Sequence, residues 1–177
     1  MMFRTHIAFA VFVYFLIIKL FSLDFAFIPF ILIIFGSILP DMDHPKSFIN
    51  RHYLIGIGKI VSLFSEHRGF WHSLLGLLTI SIISYLLVLL TPLNHLINHN
   101  LVLFLIFGYF LHLLLDSFTP SGIKWLWKNK KLRTKGFIKT NSLSENILFI
   151  FLIIISAYLI LGTEKIKYIF GLISKIA

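Results

Sequence analysis

His112 and Asp116 stand four apart in the run Phe110-Leu111-His112-Leu113-Leu114-Leu115-Asp116. At helical spacing the two project from one side of a helix. An ionisable group at membrane depth is costly unless paired or hydrated. The pair therefore reads either as part of a metal or catalytic site, or as a structural His–Asp hydrogen bond knitting two helices. A second concentration is Leu39-Pro40-Asp41-Met42-Asp43-His44-Pro45, two carboxylates and an imidazole bracketed by prolines at the end of an apolar run. Carboxylate with imidazole suits zinc, manganese or iron, and carboxylates alone suit magnesium or calcium. The plain alternative is helix capping and a solvated loop. The third is Glu66-His67-Arg68-Gly69-Phe70-Trp71-His72-Ser73, leading into a helix. Arg68 and the free amides near Ser73 could hold a phosphate or carboxylate. An N-cap at Ser73, an interfacial Trp71 and surface histidines would explain the same residues.

The chain has no cysteine, so any metal must be held by oxygen and nitrogen donors. Neither a Gly-x-Ser-x-Gly elbow, a Walker loop nor a dinucleotide fingerprint occurs, which leaves serine hydrolase, nucleotide and redox-cofactor readings without local support. His6 alone reads as a helix-end histidine. His95 and His99 read as turn residues, and His52 has no evident companion.

These residues must be positioned by apolar elements. Of the 177 residues 58% are hydrophobic, 20 of them Phe, more apolar surface than a soluble domain of this size can bury. Five apolar stretches emerge: Ile7 to Leu23, Phe25 to Pro40, Leu74 to Leu90, Leu101 to Phe118 and Ile147 to Gly162. A crossing wants about 20 residues, so several are marginal, and the second could be re-entrant. The expected fold is an all-α membrane protein, a bundle of four to five transmembrane or re-entrant helices in one domain, 1–177. Tyr53 to Phe64 could form an interfacial helix, and about 164–177 an amphipathic surface helix. No small-residue cleavage site follows Leu23, so a signal peptide is not expected.

Five crossings place the N-terminus, Asp41–Ser73 and Lys124–Lys139 on one side. That side holds 12 of the 16 Lys and Arg, which makes it cytoplasmic. It also gathers His6, Asp41, His72, His112, Asp116 and Glu145, which the hydropathy pattern did not require. Topology is a sufficient account of the formal charge of +9. The Lys124–Lys139 loop, with seven basic residues and no acid, is expected to attract anionic lipid headgroups rather than nucleic acid.

The strings Leu-Pro-Asp-Met-Asp-His-Pro-Lys-Ser-Phe (39–48), His-Arg-Gly-Phe-Trp-His-Ser-Leu-Leu (67–75) and Gly-Tyr-Phe-Leu-His-Leu-Leu-Leu-Asp-Ser-Phe-Thr-Pro-Ser-Gly (108–122), with His6 before them and tryptophans after, resemble the YdjM-like family of predicted inner-membrane metal-dependent hydrolases. The resemblance covers about residues 1–150. It implies metal ligands at His6, Asp41, His67 or His72, His112 and Asp116, supported by Asp43 and His44. The family is also distantly similar to the zinc-dependent phospholipase C and single-strand nuclease group, all-helical enzymes whose His-x-x-x-Asp helix His112 and Asp116 fit. Trp71 stands where the family usually has Thr, and Lys128 where a proline is common.

The resulting expectation is a phosphoester hydrolase at the cytoplasmic membrane face, holding one or two divalent ions. Zinc ranks first, with manganese or magnesium as alternatives, and a lipid or small-molecule phosphoester is the substrate class. His6, Asp41, His44, His72, His112 and Asp116 are the candidate ligands. Asp43, His67 and Arg68 are the candidate catalytic residues: Asp43 could orient a ligand or act as base, and Arg68 could hold the substrate phosphate. No protein partner is expected. The rival reading is non-enzymatic: a metal-stabilised scaffold, or an ion transporter. Transport would want ionisable groups at mid-membrane and on both faces.

Overall fold

The computed structural model describes residues 1–43, 69–90, 99–127 and 132–173, with the backbone alone for 43, 99 and 163–173. His44, His67 and Arg68 lie outside the described residues, as do His52, His95 and the Tyr53–Phe64 segment. Five α-helices are described: α1 Phe3–Phe21, α2 Phe27–Ile38, α3 Leu74–Leu90, α4 His99–Ser117 and α5 Leu143–Ile173. Three are long and apolar enough to cross a membrane, over Phe3–Phe21, Asn100–Ser117 and Leu143–Gly162, while α2 and α3 are shorter apolar helices. Each of the five apolar stretches is helical.

The helix boundaries follow local chemistry. α1 stops where Ser22 takes a left-handed conformation and returns its N–H to Ile18 O. The turn into α2 is pinned by Tyr14, whose hydroxyl donates to Ala26 O at 2.6 Å and accepts from Ala26 N at 3.1 Å. Tyr14, Phe15, Phe25 and Phe30 pack there with ring centroids 5.3–6.0 Å apart. At the other end of α2, Pro40 lacks the N–H that another α turn would use, and the chain tightens into a 3₁₀ turn, Leu39–Asp43. Ser73 caps α3, its hydroxyl accepting from Gly76 N at 3.3 Å. The fifth helix runs on past Gly162, where a non-helical φ of 70° and ψ of 165° kink it. The tail backbone is helical again to Ile173 beyond this break, which separates it from the spanning helix. Residues 174–177 lie outside the described part.

Helices α2 and α4 form the core contact. They run parallel, Ile33 beside Gly108 and Ser37 beside His112, and two glycines let the backbones touch. A Cβ on Gly36 would overlap the Leu105 carbonyl, and one on Gly108 the Ile33 carbonyl. Without hydrophobic drive between helices in lipid, close backbone approach is a main source of association. Ala10, Tyr14, Ile33 and Leu111 form the buried cluster around it. Large apolar side chains of α3 and α5, such as Leu78, Leu87, Ile150 and Ile154, are exposed, as lipid-facing residues must be.

After α4, a two-stranded antiparallel clip pairs Ile123 with Thr134 and Lys124 with Arg133. It is tied back by Gly136 N to Thr119 O (2.9 Å), Ile138 N to Phe118 O (3.1 Å) and Leu74 N to Trp125 O (2.9 Å). The starts of α1, α3 and α5 and the ends of α2 and α4 therefore meet at one end of the bundle.

Candidate metal centre

At that end, α4 supplies His112 and Asp116 from adjacent turns of one face, both about 1% exposed. His112 Nδ1 lies 2.7 Å from the Ser37 carbonyl. A carbonyl only accepts, so Nδ1 carries the hydrogen and Nε2 presents its lone pair. That is how a metal-ligating imidazole is usually oriented.

His112 Nε2 faces three further donor atoms. His72 Nε2 is 3.3 Å away, Asp41 Oδ1 3.8 Å and Asp116 Oδ2 4.0 Å. His72 Nε2 is in turn 3.6 Å from Asp41 Oδ1 and 3.8 Å from Asp116 Oδ2. Two triangles of donors thus share the His72–His112 edge, one closed by Asp41 and the other by Asp116. Metal–donor bonds of about 2.0–2.2 Å in a tetrahedral zinc site put donors about 3.3–3.6 Å apart. The Asp41, His72 and His112 donors, 3.3–3.8 Å apart, fit a small divalent cation after a contraction of a few tenths of an ångström.

His6, from α1, stacks on His112 with ring centroids 3.7 Å apart and planes 8° from parallel. Its Nε2 is 3.4 Å from Asp116 Oδ1, the oxygen that also pairs with the Met1 ammonium. Although His6 is 1% exposed, neither of its ring nitrogens makes a hydrogen bond. Buried polar atoms without partners are uncommon and costly. His6, His112 and Asp116 form one three-residue group with metal-binding spacing, and Asp41, His72 and His112 another. Among the site carboxylates Asp41 is the exposed one, its side chain 20% accessible against 2% for Asp116.

Of the residues singled out by sequence, the structure brings His6, Asp41, His72, His112 and Asp116 together. Asp43 closes the 3₁₀ turn two residues beyond Asp41.

Two further groups hold the ligands in place, one of them, Glu145, already placed at this end by the topology. The Ser37 carbonyl is a backbone group that any residue would offer. Glu145 is fully buried at the start of α5. Its Oε1 accepts from Met2 N at 2.6 Å and Thr5 Oγ1 at 3.0 Å, and its Oε2 from Asn141 N at 2.6 Å. Beside it, Arg4 donates to Asn146 Oδ1 at 2.6 Å. Glu145 thus fastens the first turn of α1, where His6 sits. Replacing Glu145 with Ala strands the buried Thr5 hydroxyl and two partly buried N–H donors, Met2 and Asn141, the buried one at about 1–3 kcal/mol. The expected result is a clearly lower melting temperature in detergent, and wild-type melting would show that the contacts carry no weight.

A sequence model described as "YdjM inner membrane protein" matches residues 1–174. "Inner membrane protein YdjM" of Escherichia coli (strain K12) is 38% identical over 94 residues, 53% of this chain and 46% of that protein. The protein of the same name from Shigella flexneri matches equally. "Uncharacterized protein YvsG" of Bacillus subtilis (strain 168) is 33% identical over 124 residues, 70% of this chain and 72% of the relative. The matched segment thus spans about half the length of the two YdjM relatives and most of YvsG. No solved structure matches.

Proposed function

The chain belongs to the YdjM inner membrane protein family, and we propose that it is a membrane-bound, metal-dependent phosphoester hydrolase working at the cytoplasmic face. The observation that carries the reading is the donor cluster in which the His72 and His112 imidazoles, 3.3 Å apart, each face Asp41 and Asp116 at 3.6–4.0 Å. These four residues would hold a divalent cation, zinc by donor type and geometry. His6 lies beside Asp116 as a further ligand. When bound, such an ion polarises a phosphoryl oxygen and makes water acidic enough to attack near neutral pH.

The chain's own groups do the rest. The Ser37 carbonyl holds the His112 proton on Nδ1, and the apolar helices around the cage exclude bulk water. Asp41, the more accessible of the site carboxylates, is the ligand closest to an entering substrate. Asp43 would take or give a proton, with His67, and Arg68 would hold the phosphate; His44 would support the metal. A lipid phosphoester is favoured as substrate because the site sits at the end of an apolar bundle, and an apolar groove of about 560 Å³ runs along α4 between Leu103 and Phe110, on the helix that carries His112. It suits an acyl chain. The cytoplasmic orientation rests on the basic residues gathered on the side that holds the site.

The test is metal analysis of purified protein, followed by phosphomonoester and phosphodiester hydrolysis before and after chelation. About one or two equivalents of metal, with cleavage lost on chelation and regained with Zn²⁺, is the expected result. Protein that holds no Zn, Mn or Mg and cleaves nothing would sink the proposal.

A further inference from the structure

The clip between α4 and α5 lies at the end of the bundle that holds the cage. Residues 117–144 contain seven basic side chains and no acid. Lys124 is partly exposed on the first strand, and Arg133, Lys135 and Lys139 are exposed along the return. Interleaved with them are apolar side chains turned outward: Leu126 at 43% exposure, Leu132 at 49% and Phe137 at 81%. Trp125 and Trp127 are partly exposed in the same turn. Isolated in water such a surface would be unfavourable, because the apolar groups have no cover. Tryptophan and apolar side chains among lysines suit the headgroup boundary of a bilayer.

The clip is also held firmly. Ile123 is 1% exposed and packs with Tyr109 and Leu113 of α4. Arg133 donates to Ser121 O through Nε at 3.1 Å and Nη2 at 2.5 Å. Trp125 Nε1 donates to Thr134 Oγ1 at 3.1 Å. Lys124, Arg133, Lys135 and Lys139 are therefore presented on a fixed frame that hydrogen-bonds through Trp125 O to the first residue of α3, close to His72.

We propose that the clip, described over 118–127 and 132–139, is an interfacial platform that binds anionic phospholipid headgroups at the end of the bundle that holds the cage. The positive charge and outward apolar groups match a negatively charged lipid surface, which offers phosphate beside acyl chain. The platform does not require hydrolysis, so it stands or falls apart from the enzyme reading.

Three tryptophans, Trp71, Trp125 and Trp127, report from this end of the molecule. The full chain is reconstituted in phosphatidylcholine bilayers containing a small fraction of brominated phosphatidylglycerol or, in parallel, brominated phosphatidylcholine. Brominated phosphatidylglycerol is expected to quench tryptophan as though enriched about fivefold or more around the protein, the factor expected for even one well-placed basic residue. Raising the salt on the wild-type chain should erase most of that preference. The variant Lys124→Gln/Lys135→Gln/Lys139→Gln, which leaves the Arg133 tie in place, should lose most of it while keeping wild-type metal content. Equal quenching by the two lipids, or a preference unchanged in salt, overturns the proposal. So does nucleic acid binding at physiological salt that displaces the anionic lipid.

Discussion

Removing the imidazole of His112 is expected to abolish metal retention. This residue touches more of the cage than any other: His72 Nε2 at 3.3 Å, Asp41 and Asp116 within 4.0 Å, the Ser37 carbonyl at 2.7 Å and the His6 ring by stacking. Loss of an outer hydrogen-bond partner alone weakens metal sites about 10–100-fold. Loss of a ligand should do more, so His112→Ala is expected to bind Zn²⁺ at least about 100-fold more weakly than wild type. The measurement is competitive zinc titration of purified protein, with thermal unfolding beside it. Zinc at about 100 times its dissociation constant adds about 2.7 kcal/mol to a protein that binds it only when folded. The wild-type chain should show that rise and His112→Ala should not. Wild-type affinity in the variant would remove the cage as a metal site.

Filling the α2–α4 contact is expected to damage the site from a distance. Gly108 lies one helical turn before His112 and meets the Ile33 carbonyl so closely that a methyl group has no room. The atom in the way belongs to backbone and cannot rotate aside. Overpacking a core costs about 1–3 kcal/mol when side chains can adjust, and should cost at least that here. To admit the methyl group, α2 must move off α4, taking Ser37 and Asp41 with it. Gly108→Ala is therefore expected to lower the melting temperature and to weaken zinc binding together. Leu103→Ala, at a 61% exposed position on the same helix, should change neither. Unaltered zinc affinity in Gly108→Ala would mean that the cage does not depend on this helix pair.

The sequence by itself determined the elements and the end of the bundle at which the chemistry gathers. Lipid as solvent forces long apolar helices, so Leu74–Leu90 could be read to the residue and the other spans to within a few. Counting those spans placed His6, Asp41, His72, His112 and Asp116 at one end, because an ionisable group in an apolar run is costly enough to be informative. The i, i+4 spacing put His112 and Asp116 on one face for the same local reason. What the tertiary structure decided is everything that depends on how helices cross. Which nitrogen of His112 is free follows from a backbone carbonyl on another helix. That His6 stacks on His112, and that Glu145 grips the first turn of α1, joins residues more than a hundred positions apart. Hydropathy and periodicity report on a segment and its solvent, whereas these contacts arise from close packing at Gly36 and Gly108, where the absence of two side chains sets the distance between helices.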